Sequence, residues 1–490
     1  MHRLWEIDEI VRVIVASLGR QKGAVALACS CKSLSDIVLD SLWEHLMGLS
    51  RLLKCLPRDS WDLRDFDFVF VRCPTTKEWL RFMVYARRVR EFSACGYGVG
   101  VDGVSTEACQ LLSMQTSTLG QYILPNLHSI RWDVHPWANA SFVRLFLNPG
   151  LVSVHIQFPN PRPHIYRIAA ISSIPTKDLA HLRLKDMGNE ESVLDALEIL
   201  LDKSSETIRS VALDGGLSTT FIDKLLRLRN LRSLEIELPD AHISPPEVAL
   251  PSLVKLAVRY REDVPWFHVL NNIPNPALRD LEATFLDASP THMQSLISAL
   301  IKANKKQTLT RLQCSWDELI PITPERLRSA FSLERLTTLN LFPRCIDRLC
   351  GVQLEDSVVC ALAAALPRLK SLKLGEVPCK ISTSKVTSES LAALSTNCVD
   401  LDFLQIHFDA KEIVSGASHA NYQTRRFTSR LRTLSVGSQP VPSQNKDILL
   451  VASTILHIFP HVEELSNAEG DWRLVRSGIG MLREAGYASM

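Results

Sequence analysis

A short phrase recurs from the second quarter of this chain to its end: apolar, two variable residues, apolar, one variable residue, apolar. It runs as Leu127-Ile130-Trp132, Leu151-Val154-Ile156, Leu179-Leu182-Leu184, Ile208-Val211-Leu213, Leu231-Leu234-Ile236 and Leu253-Leu256-Val258. Leu278-Leu281-Ala283 and Leu309-Leu312-Cys314 follow, and further copies begin at Leu336, Leu369, Leu401, Leu431 and Val462. The thirteen starts lie 22 to 33 residues apart, about 28 on average. With 46% of the residues hydrophobic, three chosen positions are all apolar about one time in ten, so one match means nothing. Thirteen at a narrow spacing mean an internal repeat.

Leu124-Pro125, Asn148-Pro149, Leu250-Pro251, Asn275-Pro276, Leu366-Pro367 and Phe459-Pro460 stand just upstream of copies, where proline ends a helix and opens an extended segment. Between the phrases, Ser192–Leu201, Met293–Ile301, Ser357–Leu366 and Ile448–Phe459 carry apolar residues at three- and four-residue intervals, the spacing of one buried helical face. Each unit is therefore a short strand plus a helix, and neither buries its apolar side alone. Stacking places strands side by side and lets the wider helices fan out behind them. The phrase resembles leucine-rich repeat proteins, with the irregular unit lengths of their F-box relatives. The expected fold is an α/β solenoid, an arc or horseshoe with parallel strands inside and helices outside, over residues 96–490. The family's Asn or Cys ladder is largely missing, so irregular loops are expected on that side.

The apolar members of the phrase are read as core. The residues between them alternate outward onto the strand face. They are Ser129, Arg131 and Asp133, then Ser153, His155 and Gln157, then His181, Arg183 and Lys185. Later copies add Glu235, Glu237, Lys255, Arg259, Asp280, Glu282, Lys373, Gln405 and His407. Their signs are mixed, which suits a folded protein target better than a polyanion.

The first fifty residues differ in kind. Ile7, Ile10, Val11, Ile14 and Leu18 form one helical stripe, with Asp8 and Glu9 in the first turn, where the helix dipole favours acids. A second helix is predicted through Ala24, Leu27, Ala28 and Cys31. A third runs through Leu34, Val38, Leu42, His45, Leu46 and Leu49, capped by Ser33 or Ser35. Three helices this short enclose little core, and Val13 and Val15 widen the apolar surface beside the stripe, so an apolar patch for a partner is expected. Ile7-Asp8-Glu9-Ile10-Val11-Arg12-Val13-Ile14, Ala26-Leu27-Ala28-Cys29-Ser30-Cys31-Lys32 and Leu39-Asp40-Ser41-Leu42-Trp43 together resemble an F-box, closest to that of fungal proteins with leucine-rich repeats behind it. The resemblance covers residues 1–48. It implies docking onto the Skp adaptor, and through it onto a cullin and a RING subunit of a ubiquitin ligase. By the same resemblance the adaptor contacts fall on Leu4, Ile7, Ile10, Val11, Ile14, Leu27, Leu42 and Trp43. Asp8 stands where the family has proline, and is expected to cap the first helix in its place. Against this stands a plainer reading, in which the helices only cap a protein-binding scaffold with no ligase role.

Residues 49–95 read as a helical linker and N-terminal lid. Thr75 and Glu78 form a capping box before a helix that buries Trp79, Phe82, Met83 and Ala86, and Val89-Phe92 is a possible early copy of the phrase. The 490 residues carry 55 basic and 53 acidic side chains, a formal charge of +2, which gives no general attraction to nucleic acid or membrane. No apolar run approaches the roughly 18 residues of a membrane span. Acids at Glu6, Asp8 and Glu9 argue against an export signal, and Asn139-Ala140-Ser141 is then a chance sequon. The 12 cysteines are scattered without a C-x-x-C pair, as expected of free thiols in a cytosolic or nuclear protein. Cys29 and Cys31 read as packing, and Cys345 with Cys350 as too little for a metal site. No phosphate loop, zinc motif, nucleophile elbow or kinase signature is present, so neither catalytic residue, metal nor cofactor is expected. The basic clusters Arg87-Arg88-Val89-Arg90 and Arg425–Arg432 read as solvated faces before nucleic-acid contacts.

Overall fold

A computed structural model describes residues 7–18, 22–30, 32–95, 103–119, 122–133, 140–158, 164–238, 252–260, 277–285, 308–316, 322–343, 349–350, 354–375, 381–382, 385–414, 427–436, 444–466 and 472–486. The chain divides into two compact units, Met1–Leu217 and Ser218–Met490.

The first unit opens with α1 (Asp8–Ser17), α2 (Lys22–Ser30) and α3 (Lys32–Trp43). Their shared core is Val11, Val15, Ala24, Leu34 and Val38, with Leu27, Ala28, Ile37 and Leu42 packed around it. The stripe read from the sequence is thus rotated: Val11 and Val15 face inward, whereas Ile7 and Leu18 are exposed. Asp8 is the first helical residue and Ile7 the cap position, without a side-chain capping bond, so aspartate does not replace proline as a cap. Ser33 and Ser35 likewise lie inside α3 and not ahead of it. The third helix also ends earlier than its apolar spacing suggests, because His45–Met47 is a strand, β1.

After β1 come a one-turn helix α4 (Ser50–Leu53), a hairpin of β2 (Trp61–Arg64) and β3 (Asp67–Phe70), and α5 (Thr76–Ala86). The hairpin has no glycine turn; Asp65 and Phe66 both take positive φ, 51° and 70°, the backbone a two-residue turn needs to match strand twist. The capping box at Thr75 and Glu78 is formed, and α5 buries the four residues expected of it. Then follow β4 (Glu91–Cys95), β5 (Gly103–Val104) paired with β3, α6 (Thr106–Leu119), β6 (Ser129–Asp133), β7 (Ser153–Gln157), α7 (His164–Ser172), β8 (His181–Lys185), α8 (Glu191–Lys203) and β9 (Ser210–Leu213). Strands β1, β4, β6, β7, β8 and β9 pair in that order, all parallel. Their register stacks Leu46, Phe92, Ile130, Val154, Leu182 and Val211 into one buried column. Val89-Phe92 is therefore a true copy of the phrase. Leu46 is an earlier one that the sequence hides, since Gly48 stands at its third apolar position.

The second unit continues the same plan. It holds α9 (Thr219–Leu226), β10 (Ser233–Glu237), β11 (Lys255–Tyr260), β12 (Asp280–Phe285), β13 (Arg311–Trp316), α10 (Pro324–Arg328), β14 (Thr338–Pro343), β15 (Leu349–Cys350), α11 (Asp356–Ala365), β16 (Ser371–Leu374), β17 (Ile381–Ser382), α12 (Ser388–Asn397), β18 (Phe403–Ile406), α13 (Lys411–Val414), β19 (Thr433–Val436), α14 (Asn445–Ile458), β20 (Glu464–Ser466) and α15 (Trp472–Glu484). Nine strands, β10 to β14, β16, β18, β19 and β20, form a parallel series that stacks Leu234, Leu256, Leu281, Leu312, Leu339, Leu372, Leu404, Leu434 and Leu465. All nine leucines are buried. The fold is a leucine-rich-repeat solenoid of parallel strands with helices between them. The predicted helix at Met293–Ile301 lies outside the described residues.

One backbone device recurs along the strand series of each unit. Two consecutive amides entering a strand donate to a single carbonyl in the repeat before: Val152 and Ser153 to His128, Ala180 and His181 to Val152, Arg209 and Ser210 to Ala180. The second unit repeats it, from Val254 and Lys255 on Arg232 to Glu463 and Glu464 on Arg432. The pairing is made by backbone alone and needs no particular side chain at the positions that donate. Asn148 is an exception: fully buried, it donates to the carbonyls of Leu124 at 3.0 Å and Leu127 at 3.1 Å.

Leu372→Ala removes one rung of the buried column and is expected to cost about 2–5 kcal/mol in urea unfolding, against less than about 0.5 kcal/mol for Ile199→Ala on an exposed helical face. Acid supplies a second check. Arg72, donating to Glu78, holds that carboxyl down to about 2, helped by the Thr75 amide. Its folded value lies below the ordinary 4.5, so its stabilisation is complete above that pH and disappears as pH falls through about 2. The melting-temperature gap between the parent chain and Glu78→Gln should be present at neutral pH and close near pH 2.

Candidate protein-binding surfaces

The first surface is the outside of the helical bundle. Val13 is 70% exposed, Val25 50% and Ile7 43%, with Leu18 also in water. Ile10, Ile14, Leu27, Leu42 and Trp43 are half-buried, while Val11 lies wholly inside the bundle and has no surface to offer a partner. Leu4 is outside the described residues. Sequence periodicity puts Val11 on the docking stripe because a single helix does not reveal which edge of its apolar face its neighbours cover.

The bundle is fastened to the first strands. The Trp43 ring sits 5.4 Å from that of Tyr85 on α5. Arg88, its side chain 16% exposed, donates to the Asp36 carboxylate at 2.7 Å and the Asp36 carbonyl at 3.0 Å, and also to the Asp40 carboxylate. Charge-assisted bonds from one partly buried guanidinium to two carboxylates a helical turn apart resist rotation as well as separation. Arg90 next to it donates to the Asn126 carbonyl, and Asn126 to the Arg87 carbonyl. The first basic cluster is therefore an anchor between α3 and the sheet. In the second cluster, Arg430 and Arg432 lie near Asp400 and Asp402 at 3.8 Å and 3.5 Å.

The second surface is the strand face of the first unit. Burial alternates along β6, β7 and β8, so Ser129, Arg131, Asp133, Ser153, His155, Gln157, His181, Arg183 and Lys185 do stand on the side away from the apolar column. The register places Arg131, His155 and Arg183 in one row across three strands, with Asp133, Gln157 and Lys185 in the next. The row is electropositive at its centre. His155 is held down to about 4, first by burial and then by Arg131, Arg183 and Lys185, with Asp133 pulling the other way. Its Nε2 is covered and makes no hydrogen bond. The imidazole is neutral at pH 7.

The strand face of the second unit is largely paired within itself. Arg259 meets Glu235 at 3.2 Å and Arg311 meets Asp280 at 3.8 Å. Asn340 donates to Gln313, and Gln313 to Glu282, each at 3.3 Å, while Ser315 donates to Thr284. Lys373 lies over the rings of Phe342 and Phe403. Lys255 and Glu237 are half-buried on their strands. Gln405 and His407 depart from expectation, since both are buried. Gln405 donates to the Gly375 carbonyl, and His407 lies beyond the end of β18, so alternation no longer turns it outward.

A groove of about 590 Å³ lies where β6 to β9 begin, lined by His128, Val152, Asp178, Ala180, Thr207 and Arg209 among others. Among the described residues no group of three or more His, Cys, Asp or Glu side chains is placed to hold a metal ion. Cys29 is exposed and not packed as its neighbours suggested; Cys31 and Cys345 lie outside the described residues. Burial pushes the Cys314 and Cys398 thiols up to about 12, away from nucleophilic reactivity. No described helix is long and apolar enough to cross a membrane.

Arg88→Ala should loosen the bundle while leaving the sheet intact. Amide exchange should rise in α1–α3 by about tenfold or more, with β6–β9 unchanged.

No protein-family model matches the chain, and no curated protein matches it either. Among solved structures it is similar to an internalin (inlF) from Listeria monocytogenes, at 14% identity over 66% of this chain and 82% of that one, with a TM-score of 0.33. The assignment to a leucine-rich-repeat solenoid rests on this chain's own parallel register and its columns of buried leucine.

Proposed function

We propose that this chain is the substrate-recognition subunit of an Skp–cullin–F-box ubiquitin ligase. In this reading α1–α3 dock the Skp adaptor, which brings the cullin and RING subunits, and the strand face binds the target protein. The observation that carries it is a bundle with exposed aliphatic side chains, Val13 on α1, Val25 on α2 and Ile7 and Leu18 at the ends of α1, fastened through Arg88 to a repeat array whose outward residues are polar. The protein breaks no bond itself. Its work is to raise effective concentration, holding target lysines near the transferring subunit, and a firm joint between bundle and array serves that work.

A second reading takes support from the same joint. The chain leaves α3 directly into β1, the first strand of the series, so the helices also cover the end of the array, as a scaffold with no ligase role requires. Deleting residues 1–48 does not separate the two, because it also removes β1. Substitution on the exposed face does. Val13→Asp with Val25→Asp should leave the thermal melt within about 2 °C of the parent and weaken co-purification with purified Skp adaptor at least about tenfold. Equal retention of the adaptor by parent and variant would leave only the scaffold.

A further inference from the structure

We infer that the strand face of β6–β8 takes an extended acidic segment of a partner protein, whose carboxylates lie across Arg131 and Lys185 beside His155. This deepens the reading of that face as the target-binding surface and rests on it.

Pairing within the face already engages its acids. Asp133 has a side chain only 13% exposed and turns toward Arg131 at 3.5 Å, while Arg131 keeps 54% of its side chain in water. Asp186, at the end of β8, accepts from the Gln157 amide at 3.0 Å. Glu91, two strands from His155, is met by His45 at 3.1 Å. The acids of this face thus have partners on the face itself. The cations sit in adjoining rows, Arg131 and Arg183 on either side of His155 and Lys185 diagonal to it. Neighbouring strands are about 4.8 Å apart, so Arg131 and Arg183 stand roughly 10 Å from each other. A chain laid across the strands repeats its outward side chains every 7 Å or so, close enough to that spread for long, flexible arginine and lysine side chains to reach successive carboxylates on it. His155 between them is uncharged and half-buried, so it adds no repulsion toward a third cation and leaves the patch's sign to its neighbours.

Selectivity for this face over the other follows from pairing. Along the second unit the outward groups form ion pairs and an amide ladder from Glu282 through Gln313 to Asn340. An acidic segment there would have to displace those bonds and approach Glu235 and Glu282. On the first unit it approaches Arg131 and Lys185 without breaking a strong pair. Electrostatic complementarity of this kind governs encounter rate and selectivity more than depth of affinity, so the expected complex is modest and salt-sensitive.

The test uses the full chain and a fluorescein-labelled peptide of about ten residues alternating glutamate and serine, with a glutamine–serine peptide as its uncharged counterpart. Anisotropy should show binding of the glutamate peptide only. It should weaken about tenfold when NaCl rises from about 0.05 to 0.5 M, and about tenfold or more in Arg131→Glu/Lys185→Glu. Lys255→Glu on the second unit should leave it unchanged. Arg131→Gln/Lys185→Gln, a milder pair, covers the case in which charge reversal lowers the melt. No binding by the parent chain, equal binding of the two peptides, or parent-like binding by both double variants would overturn the inference. Adaptor co-purification is read on the same preparations. A chain that keeps the adaptor and ignores the glutamate peptide loses this inference alone, and one that does the reverse loses only the ligase reading.

Discussion

Everything in this molecule depends on the pairing of two successive amides with one carbonyl of the preceding repeat. In a parallel sheet a slip of one residue turns every side chain to the opposite face. Here such a slip would put the leucine column into water and the arginines into the core. The paired amides forbid it by backbone geometry, and the burial of Leu182, Leu339 or Leu372 forbids it by solvation. Within each unit the two constraints agree, which is why repeats of unequal length still stack in register there. Variation in length is absorbed between the phrases, where neither constraint acts.

Parallel strands in most proteins are covered on both faces. These strands are short and covered on one, which leaves three to six residues per repeat to offer two or three side chains outward. Those side chains need a polar partner, water or one another, and the two units answer differently. The second closes its face with Glu235–Arg259, Glu282–Gln313–Asn340 and Lys373 over two phenylalanine rings. The first leaves Arg131 and Lys185 only lightly engaged around a neutral histidine. At the far end, α15 protects the exposed edge of β20: Arg476 and Arg483 donate to the carbonyls of Leu465 and Val462, and Gly478 lets α15 approach Ala452 on α14 closely. An unprotected edge strand would invite another chain to pair with it.

Much of the fold was legible because the apolar phrase is both periodic and buried. A three-residue test repeated at narrow spacing locates Leu127 through Val462 without any knowledge of neighbours. Legibility fails where a side chain is missing or where backbone alone decides. Gly48 at a third position conceals β1, and Leu46 then reads as the last turn of α3. The hairpin at residues 61–70 has Asp65-Phe66 in a turn that usually carries Asn-Gly, so no turn signal marks it. For the surfaces, alternation locates Arg131, His155, Arg183 and Lys185 because they lie between buried positions on a strand. Alternation says nothing of Gln405, which bonds to a carbonyl of the preceding repeat, or of His407, which lies past the strand. Arg88 looked like one of several surface arginines, because its partners Asp36 and Asp40 are some fifty residues earlier in the chain.

The helical bundle must satisfy two demands at once, and its residues divide between them. Covering the end of an array requires an inward apolar face and a fixed attachment; Val11, Val15, Leu34 and Val38 supply the first, Arg88 and Trp43 the second. A cap needs nothing more, and its outer face is free to be polar. Here Ile7, Val13, Leu18 and Val25 stand in water within nineteen residues of one another. Single exposed aliphatics are ordinary on any protein, but four on two successive short helices and the caps of the first cost solubility. The same rigid joint that makes the helices a good cap also gives a partner on that outer face a constant direction toward whatever the strands hold. Under the proposed function, cap and docking site are therefore not rival uses of the bundle: the inward residues set its position, and the outward ones would determine whether that position is used.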